Sequence, residues 1–439
     1  MREKKMNKDP KNDLMEKIVS LCKRRGFIFQ GSEIYGGLAG TYDWGHFGLT
    51  LKNNIKQFWW KKFVDSRIDM YGIDTAILMN RKVWEASGHV AGFSEPLVEC
   101  EKCQRRFRAD QIEDAKKCAE CGGKLGEKKQ FNMMFTTQIG AMEDSVATVY
   151  LRPETAQGMF VNFKNTVDAF HPRLPFGMAQ IGKAFRNEIT PRDFLFRERE
   201  FEQMEIEYFI RQEDWEKYFE YWKDEMLDFM EEIGLDMAKV HELEVAKEDR
   251  AHYSSRTVDF EFDYPFGKKE LFGLAYRTDF DLKNHKLEYI DEEKGGKMIP
   301  HVIEPTFGVD RAVLALILSV YTEENKDEEI RSYLKFKPNI APVICAVSPL
   351  LKNKPKLVEY ASTKVFAQLK AEFGRVAWDD NGNIGKRYRR QDEIGTPFCI
   401  VVDFDTLADN SVTVRDRDTG KQERVKVSDL KNYIKEKIN

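Results

Sequence analysis

The chain has 439 residues, with 70 Lys+Arg against 74 Asp+Glu and a formal charge of -4, a balance that excludes a generic polycation. At 42% hydrophobic and 12% aromatic residues it can build real cores, which excludes a disordered chain, and its length suits two to four domains. Its longest apolar run, near Ala312–Tyr321, is too short to span a bilayer, and the start MREKKMNKDP has no apolar signal region, so a cytosolic location is expected.

In chain order, the patterning predicts a helix over Lys11–Arg25 and another over Leu51–Met70. An extended core follows over Val149–Tyr208, then an acidic amphipathic helix over Glu213–Ile233. Strand-like runs at Gly177–Glu188, Arg199–Ile210, Thr257–Asp263 and Leu271–Thr278 follow one another through turn-like connections and favour an antiparallel sheet. The charged stretch Thr322–Lys337 reads as a linker, because Pro338-Asn339-Ile340-Ala341-Pro342 restarts the chain after it. Beyond lie an apolar run (Val343–Val347), a helical stretch (Lys356–Phe373) and three strands (Phe398–Phe404, Ser411–Arg417, Glu423–Val427), a compact α/β domain of about 100 residues. That C-terminal fifth holds 18 basic against 14 acidic residues, leaving 52 against 60 before it.

Four of the seven cysteines form two CxxC pairs, Cys100/Cys103 and Cys118/Cys121, separated by 14 residues. Four thiolates at this spacing suit a closed tetrahedral Zn²⁺ site, which is structural and by itself says nothing about a reaction. Three other segments carry charge where a simple core would not: 149–158, 180–206 and 301–311. Strand alternation puts Arg199, Phe201, Gln203 and Glu205 on one face and Met204, Ile206 and Tyr208 on the other. It likewise groups Glu304, Thr306 and Gly308, with Arg311 one turn into the next helix. Guanidinium groups beside carboxylates and an aromatic face suit a nucleoside triphosphate and a zwitterionic amino acid, although charged strand faces are often only salt-bridged surface.

These segments resemble the three motifs of the class II aminoacyl-tRNA synthetases, in the wording of their homodimeric glycyl family. LRPETAQGMFVNF (151–163), QIGKAFRNEITPR (180–192), FREREFEQMEIE (196–207), AHYSSRT (251–257), ELFGLAYRTDFDL (270–282) and EPTFGVDR (304–311) occur in the family's order. IGKRYRRQDEIGTPFCIVVD (384–403) resembles the anticodon-binding domain shared with the threonyl, prolyl and histidyl enzymes. The resemblance implies an α+β architecture. A class II antiparallel-sheet catalytic domain over 1–337 would carry an inserted four-cysteine zinc module over 96–130, and an α/β anticodon-binding domain would span 338–439.

The implied reaction joins glycine to ATP as glycyl-adenylate, with Mg²⁺ between phosphates, and transfers glycine to the 3′ end of tRNA(Gly). The resemblance makes Arg186 and Arg311 catalytic. It assigns ATP contacts to Arg186, Asn187, Glu188, Phe196, Arg197, Glu198, Arg199, Glu200, Phe201, Glu270, Leu271, Gly308, Val309, Asp310 and Arg311. Phe201 and Arg311 would flank the adenine. Glycine contacts fall on Arg108, Glu154, Phe201, Glu202, Gln203, Met204, Glu205, Glu304, Pro305, Thr306, Phe307 and Gly308, with Glu154, Glu205 and Glu304 around the ammonium. The pentad Lys386, Arg387, Tyr388, Arg389 and Arg390 would meet the anticodon stem and loop, Tyr388 being available for stacking.

The chain departs from the family's usual wording at Thr306, commonly Ser, and at Tyr42–Gly48, where a proline is missing. The helix after it, Leu49–Val64, matches the dimer-interface motif, while its Trp and Phe residues also suit an internal core. His46, His89 and His301 are expected to be structural or adjacent to substrate. A non-catalytic RNA-binding relative would have lost Arg186, Arg311 or the pocket glutamates, and a synthetase for another amino acid would alter Glu154 or EPTFG.

Overall fold

The computed structural model describes residues 10–112, 117–140, 148–326 and 329–438. Its centre is a seven-stranded sheet in the order Val240–Glu244, Arg256–Tyr264, Gly267–Thr278, His301–Gly308, Glu200–Ile210, Phe176–Phe185 and Met70–Gly72. Every pair is antiparallel except the last, as alternating polar and apolar strands with short connections favour. Within the extended core expected over 149–208, residues Ala156–Phe170 form a helix, because the apolar positions Met159, Phe160 and Phe163 recur at helical spacing.

Alternation along Glu200–Ile210 sorts the two faces. Met204, Ile206 and Tyr208 join a core with Trp59, Phe63, Trp222, Phe229 and Phe307, beneath the helices His46–Trp60, Trp215–Ile233 and Val309–Val320. On the other face Phe209 packs on the helix Ala156–Phe170 through Phe160 and Phe163. The stretch 201–207 carries polar side chains toward that same face, so the sheet leaves an open floor there. Around it sit the segments that precede the helices Ala156–Phe170 and Val309–Val320.

A three-stranded antiparallel sheet, Arg106–Arg108, Ser94–Glu99 and Lys129–Asn132, forms the module that carries the four clustered cysteines. The C-terminal domain is a five-stranded sheet in the order Val376–Trp378, Cys345–Pro349, Phe398–Val402, Ser411–Asp416 and Gln422–Lys426, its first three strands parallel.

The stretch read as a linker is a hairpin. Tyr321–Lys326 pairs with Glu329–Leu334, and Arg331 Nε donates to Asp392 of the helix Ile384–Ile394 at 2.9 Å. Charged side chains alternating along it mimic a linker in sequence, whereas in the fold they pair within the hairpin (Arg331–Glu324), with the first helix (Glu323–Lys17) and, through Arg331–Asp392, with the C-terminal domain. Gly395 ends that helix at φ 79°, where a Cβ would lie 2.8 Å from the Leu334 carbonyl oxygen; only glycine allows this approach to the hairpin.

Candidate active site and metal centre

The open floor of the sheet lies in a cavity of about 500 Å³. Its walls bring together most of the predicted positions: Glu154 and Arg186, then Glu188, Phe196, Arg197, Glu198, Phe201, Glu202, Gln203 and Glu205. Glu270, Leu271, Glu304, Thr306, Gly308, Asp310 and Arg311 complete them from the neighbouring strands. Strand register explains the meeting, since Gln203 pairs with Gly308 and Glu205 with Thr306, while Ala275 pairs with Glu304.

Other predicted positions lie away from the cavity. Met204, Phe307 and Val309 point into the apolar core by alternation, and Pro305 is buried opposite Leu274. Asn187 is held by its N–H on the Met133 carbonyl at 2.7 Å. Arg199 donates to the carbonyls of Ala39 and Glu188 at 2.8 and 3.1 Å, and Glu200 pairs with Lys183. Arg108 pairs with Asp110 at 2.7 Å and also with Glu95, which itself lines the cavity.

At one end three carboxylates converge. Glu154 is bound by His89 Nε2 at 3.2 Å and Gln157 Nε2 at 3.2 Å. Burial raises its carboxyl, but His89, Arg277 and Gln157 outweigh that and hold it well below the usual range. Glu205 accepts from Thr306 at 3.1 Å and from Thr155, and burial beside Glu154 pushes it up. Glu304 accepts from Arg277 Nη1 at 2.6 Å. Burial, opposed by Arg277 and reinforced by Glu205 and Glu154, pushes it up to about 8. Charge is thus short by at least one cation at this end, which suits an ammonium.

Arg277, 1% exposed, was not among the expected site residues. It sits where the register between Gly267–Thr278 and His301–Gly308 shifts, and the bulge lets it donate to Asp281 at 2.7 and 2.9 Å and to Glu304. His89, on the short helix His89–Gly92, is braced by Ser87 Oγ at 2.8 Å. Arg277 lies within the matched segment 270–282 without a role assigned to it there, and His89 was expected only as structural or adjacent to substrate.

At the other end the groups suit a nucleotide. The Arg186 guanidinium lies 5.2 Å from the Phe201 ring centroid and 5.5 Å from Phe93, and Arg186 Nε donates to the Pro153 carbonyl at 3.1 Å. Arg311 packs 4.5 Å over Phe196 and pairs with Glu270 at 3.1 Å; that pairing comes first among the influences that lower the Glu270 carboxyl. Asp259, also in the wall, is pushed up to about 7 by burial and by Glu270 and Glu261. Between the ends, Glu95 Oε2, Glu188 Oε2, Arg197 Nη1, Glu198 Oε2 and Gln203 Oε1 are buried with no hydrogen-bond partner among the described residues. Such groups are costly unless a ligand completes them.

The sulfurs of Cys100, Cys103, Cys118 and Cys121 all lie within 4.8 Å of one another, with Cys100 to Cys121 at 3.5 Å and Cys103 to Cys118 at 3.7 Å. Zn–S bonds of about 2.3 Å in a tetrahedron place sulfurs about 3.8 Å apart, so the donors fit zinc.

The basic pentad lies on the helix Ile384–Ile394. Lys386 and Arg389 are exposed, whereas Arg387 is 2% exposed and donates to the carbonyls of Asp380 and Gly382 at 3.0 and 2.9 Å. Arg390 binds Asp379 at 3.1 Å, and the half-buried Tyr388 ring lies 4.7 Å under the Arg415 guanidinium. The helix turns three of the five into its own domain, because Arg387, Arg390 and Tyr388 project from its inner side.

Residues 135–321 match the model of the tRNA synthetase class II core domain (G, H, P, S and T), and residues 344–437 match the anticodon binding domain. Over 97% of its length the chain is 48% identical to the glycine--tRNA ligase of Caldanaerobacter subterraneus subsp. tengcongensis, covering 98% of that protein. It is 47% identical, over 97% of its length, to those of Bacillus cereus and Clostridium acetobutylicum, covering 99% and 98% of them.

Proposed function

Because the chain belongs to the glycine--tRNA ligase family of class II aminoacyl-tRNA synthetases, and charges tRNA with glycine, we propose that its cavity activates glycine with ATP before transfer. A glycine carboxylate oxygen attacks the α-phosphorus, pyrophosphate leaves, and the adenylate passes its glycyl group to the terminal adenosine of tRNA(Gly). Arg186 holds the α-phosphate and the substrate carboxylate, and its cover over Phe201 and Phe93 keeps the guanidinium in the cavity. Phe201 and Arg311 flank the adenine, while Arg197 and Glu188, whose facing atoms form an ion pair at 3.7 Å without a hydrogen bond, meet the nucleotide.

Asp259 and Glu270 in the wall are oxygen donors that would hold a Mg²⁺, which would supply charge neutralisation to the triphosphate. Glu154, Glu205 and Glu304 take the ammonium, and Thr306, pinned by its hydroxyl on Glu205, leaves little room for a side chain on the substrate. The observation that carries this reading is the convergence of these three carboxylates with Arg186 and Arg311 in one cavity.

Zinc held by the four cysteines would be structural, since four thiolates would leave no position for substrate. Lys386 and Arg389 are the members of the pentad placed to meet RNA phosphates. The protein acts in the cytoplasm as a homodimer. Trp59 and Phe63 are spent in the intramolecular core, while Ile34 and Tyr35, in the connection between Ile28–Gln30 and Tyr42–Trp44, and Leu49, in the first turn of the helix His46–Trp60, are exposed and supply apolar surface for a second copy.

The deciding experiment is amino-acid-dependent exchange of labelled pyrophosphate into ATP across the twenty amino acids. Glycine alone is expected to support it. Absence of exchange with glycine overturns the activation mechanism, and exchange with alanine or serine overturns the pocket assignment.

A further inference from the structure

We propose that Lys52 is a positioning residue for ATP, holding apart the two side chains that flank the adenine. The proposal deepens the nucleotide reading of the cavity and rests on it.

Lys52 lies on the helix His46–Trp60, in the stretch that resembles the dimer-interface motif and away from the segments that carry the expected substrate contacts, and is 6% exposed. Its ammonium reaches Asp310 Oδ1 at 2.8 Å and Glu202 Oε2 at 3.0 Å, and stands 4.4 Å over the Trp44 ring. Lys56, one turn along the same helix, takes the other Glu202 oxygen at 2.9 Å. Asp310 Oδ2 in turn accepts the backbone N–H of Glu202 at 2.6 Å.

That last bond falls where the sheet ends. The ladder between Glu200–Ile210 and His301–Gly308 finishes at Gln203 and Gly308, after which the chain turns into the helix Val309–Val320. The Asp310 carboxylate therefore stands in for the next ladder acceptor and ties position 202 to position 310. Phe201 precedes one tied residue and Arg311 follows the other, so the tie sets the separation of the adenine's two neighbours.

A carboxylate in this place needs a counter-charge. Glu198, its Oε2 buried without a partner among the described residues, faces the same group and offers no cation. Lys52 supplies it, from a helix fixed in the core through Trp59 and Ile55. A buried ion pair of this kind contributes geometry more than net stability, and misplacing a reacting group by about 1 Å costs on the order of a hundredfold in rate.

The test is glycine-dependent pyrophosphate exchange with Lys52→Met. The expected result is a fall in kcat/KM for ATP on the order of a hundredfold, carried mainly by KM, while the KM for glycine stays near its starting value. Unchanged ATP parameters, or parallel rises in the KM of ATP and glycine, overturn the proposal. A second variant, Lys52→Met/Asp310→Asn, removes both charges and keeps an oxygen for the Glu202 N–H, so it carries the test even where Lys52→Met alone does not fold. It is expected to bind ATP better than Lys52→Met where that protein folds and, where it does not, to raise the KM for ATP while leaving the KM for glycine near its starting value, since Asp310 itself lines the cavity. A double variant that folds and shows neither overturns the proposal. Failure of the unaltered protein to exchange pyrophosphate overturns the nucleotide reading itself, whereas normal exchange with an indifferent Lys52 variant removes only this inference.

Discussion

Glu304 occupies the position at which the pocket's chemistry becomes measurable. Burial, opposed by Arg277 and helped by Glu205 and Glu154, pushes its carboxyl up to about 8, against 4.5 for an ordinary glutamate. Between those values the folded protein holds a proton that the unfolded chain releases, so this group's contribution to stability falls as pH rises, by up to about 1.4 kcal/mol per unit. On the proposed assignment glycine's ammonium requires the ionised form, so binding would expel that proton. The KM for glycine is expected to fall as pH is raised from about 6.5 to 8 and to level above it, and thermal stabilisation by glycine is expected to grow over the same window. A KM independent of pH across it contradicts the assignment. Arg277→Met leaves Glu304 and Asp281 buried without their cation, and about 3–5 kcal/mol of unfolding free energy is expected to go with exchange activity. Calorimetry or denaturant titration measures the loss. Glu205 and Glu304 were legible because alternation and motif wording agree on them, and Glu154, between a strand and a helix, from the motif wording alone. Arg277 was not, because a bulge re-aims it and a one-residue insertion in a ladder leaves no trace in hydrophobic period.

Among the elements, the strand Ser94–Glu99 connects two chemistries. Glu95 near its start lines the cavity and pairs with Arg108, and Cys100 follows its last residue in the cysteine cluster. Metal loading should therefore fix the wall at Glu95 as well as the module. Cys103→Ser is expected to lose the roughly one zinc equivalent per chain that a single four-cysteine site holds and to raise substrate KM, while the far-UV signature of the main sheet survives. Metal analysis showing full content in that variant contradicts a four-cysteine site. The central strands were readable because alternating faces differ so strongly: Met204, Ile206 and Tyr208 in the core, Gln203 and Glu205 in the cavity. The hairpin 321–334 and the helix Ile384–Ile394 were harder, since both are dominated by charge. Their stability comes from partners far away in sequence, such as Asp392 for Arg331 and the Gly382 carbonyl for Arg387, and a local pattern carries no record of these.

At the scale of the whole molecule, the near-neutral total resolves into an acidic body around a carboxylate-lined cavity and a mildly basic C-terminal domain. The helix Ile384–Ile394 joins them. On one side Asp392 binds Arg331 at 2.9 Å and Arg415 at 2.8 Å, and Glu393 binds Arg24 at 3.3 Å and also Arg25 of the first helix. Arg417 adds bonds to the carbonyls of Gly395 at 2.7 Å and Phe336 at 2.9 Å. On its outer side the same helix exposes Lys386 and Arg389. On the proposed reading, RNA bound there would be held at a fixed orientation to the cavity, and the two functions are expected to separate under mutation. Charge reversal at Lys386 and Arg389 is expected to weaken tRNA charging on the order of tenfold at physiological salt, to flatten its salt dependence and to leave pyrophosphate exchange intact. Arg331→Ala keeps the Asp392–Arg415 pair and so the C-terminal fold, yet removes a tie between the domains. Its charging rate is expected to drop with exchange preserved and the salt dependence unaltered, because orientation is lost and phosphate contacts are not. The paired assays distinguish the two defects: equal loss of exchange and charging in either variant would mean that the helix supports the fold of the body and does not orient the RNA.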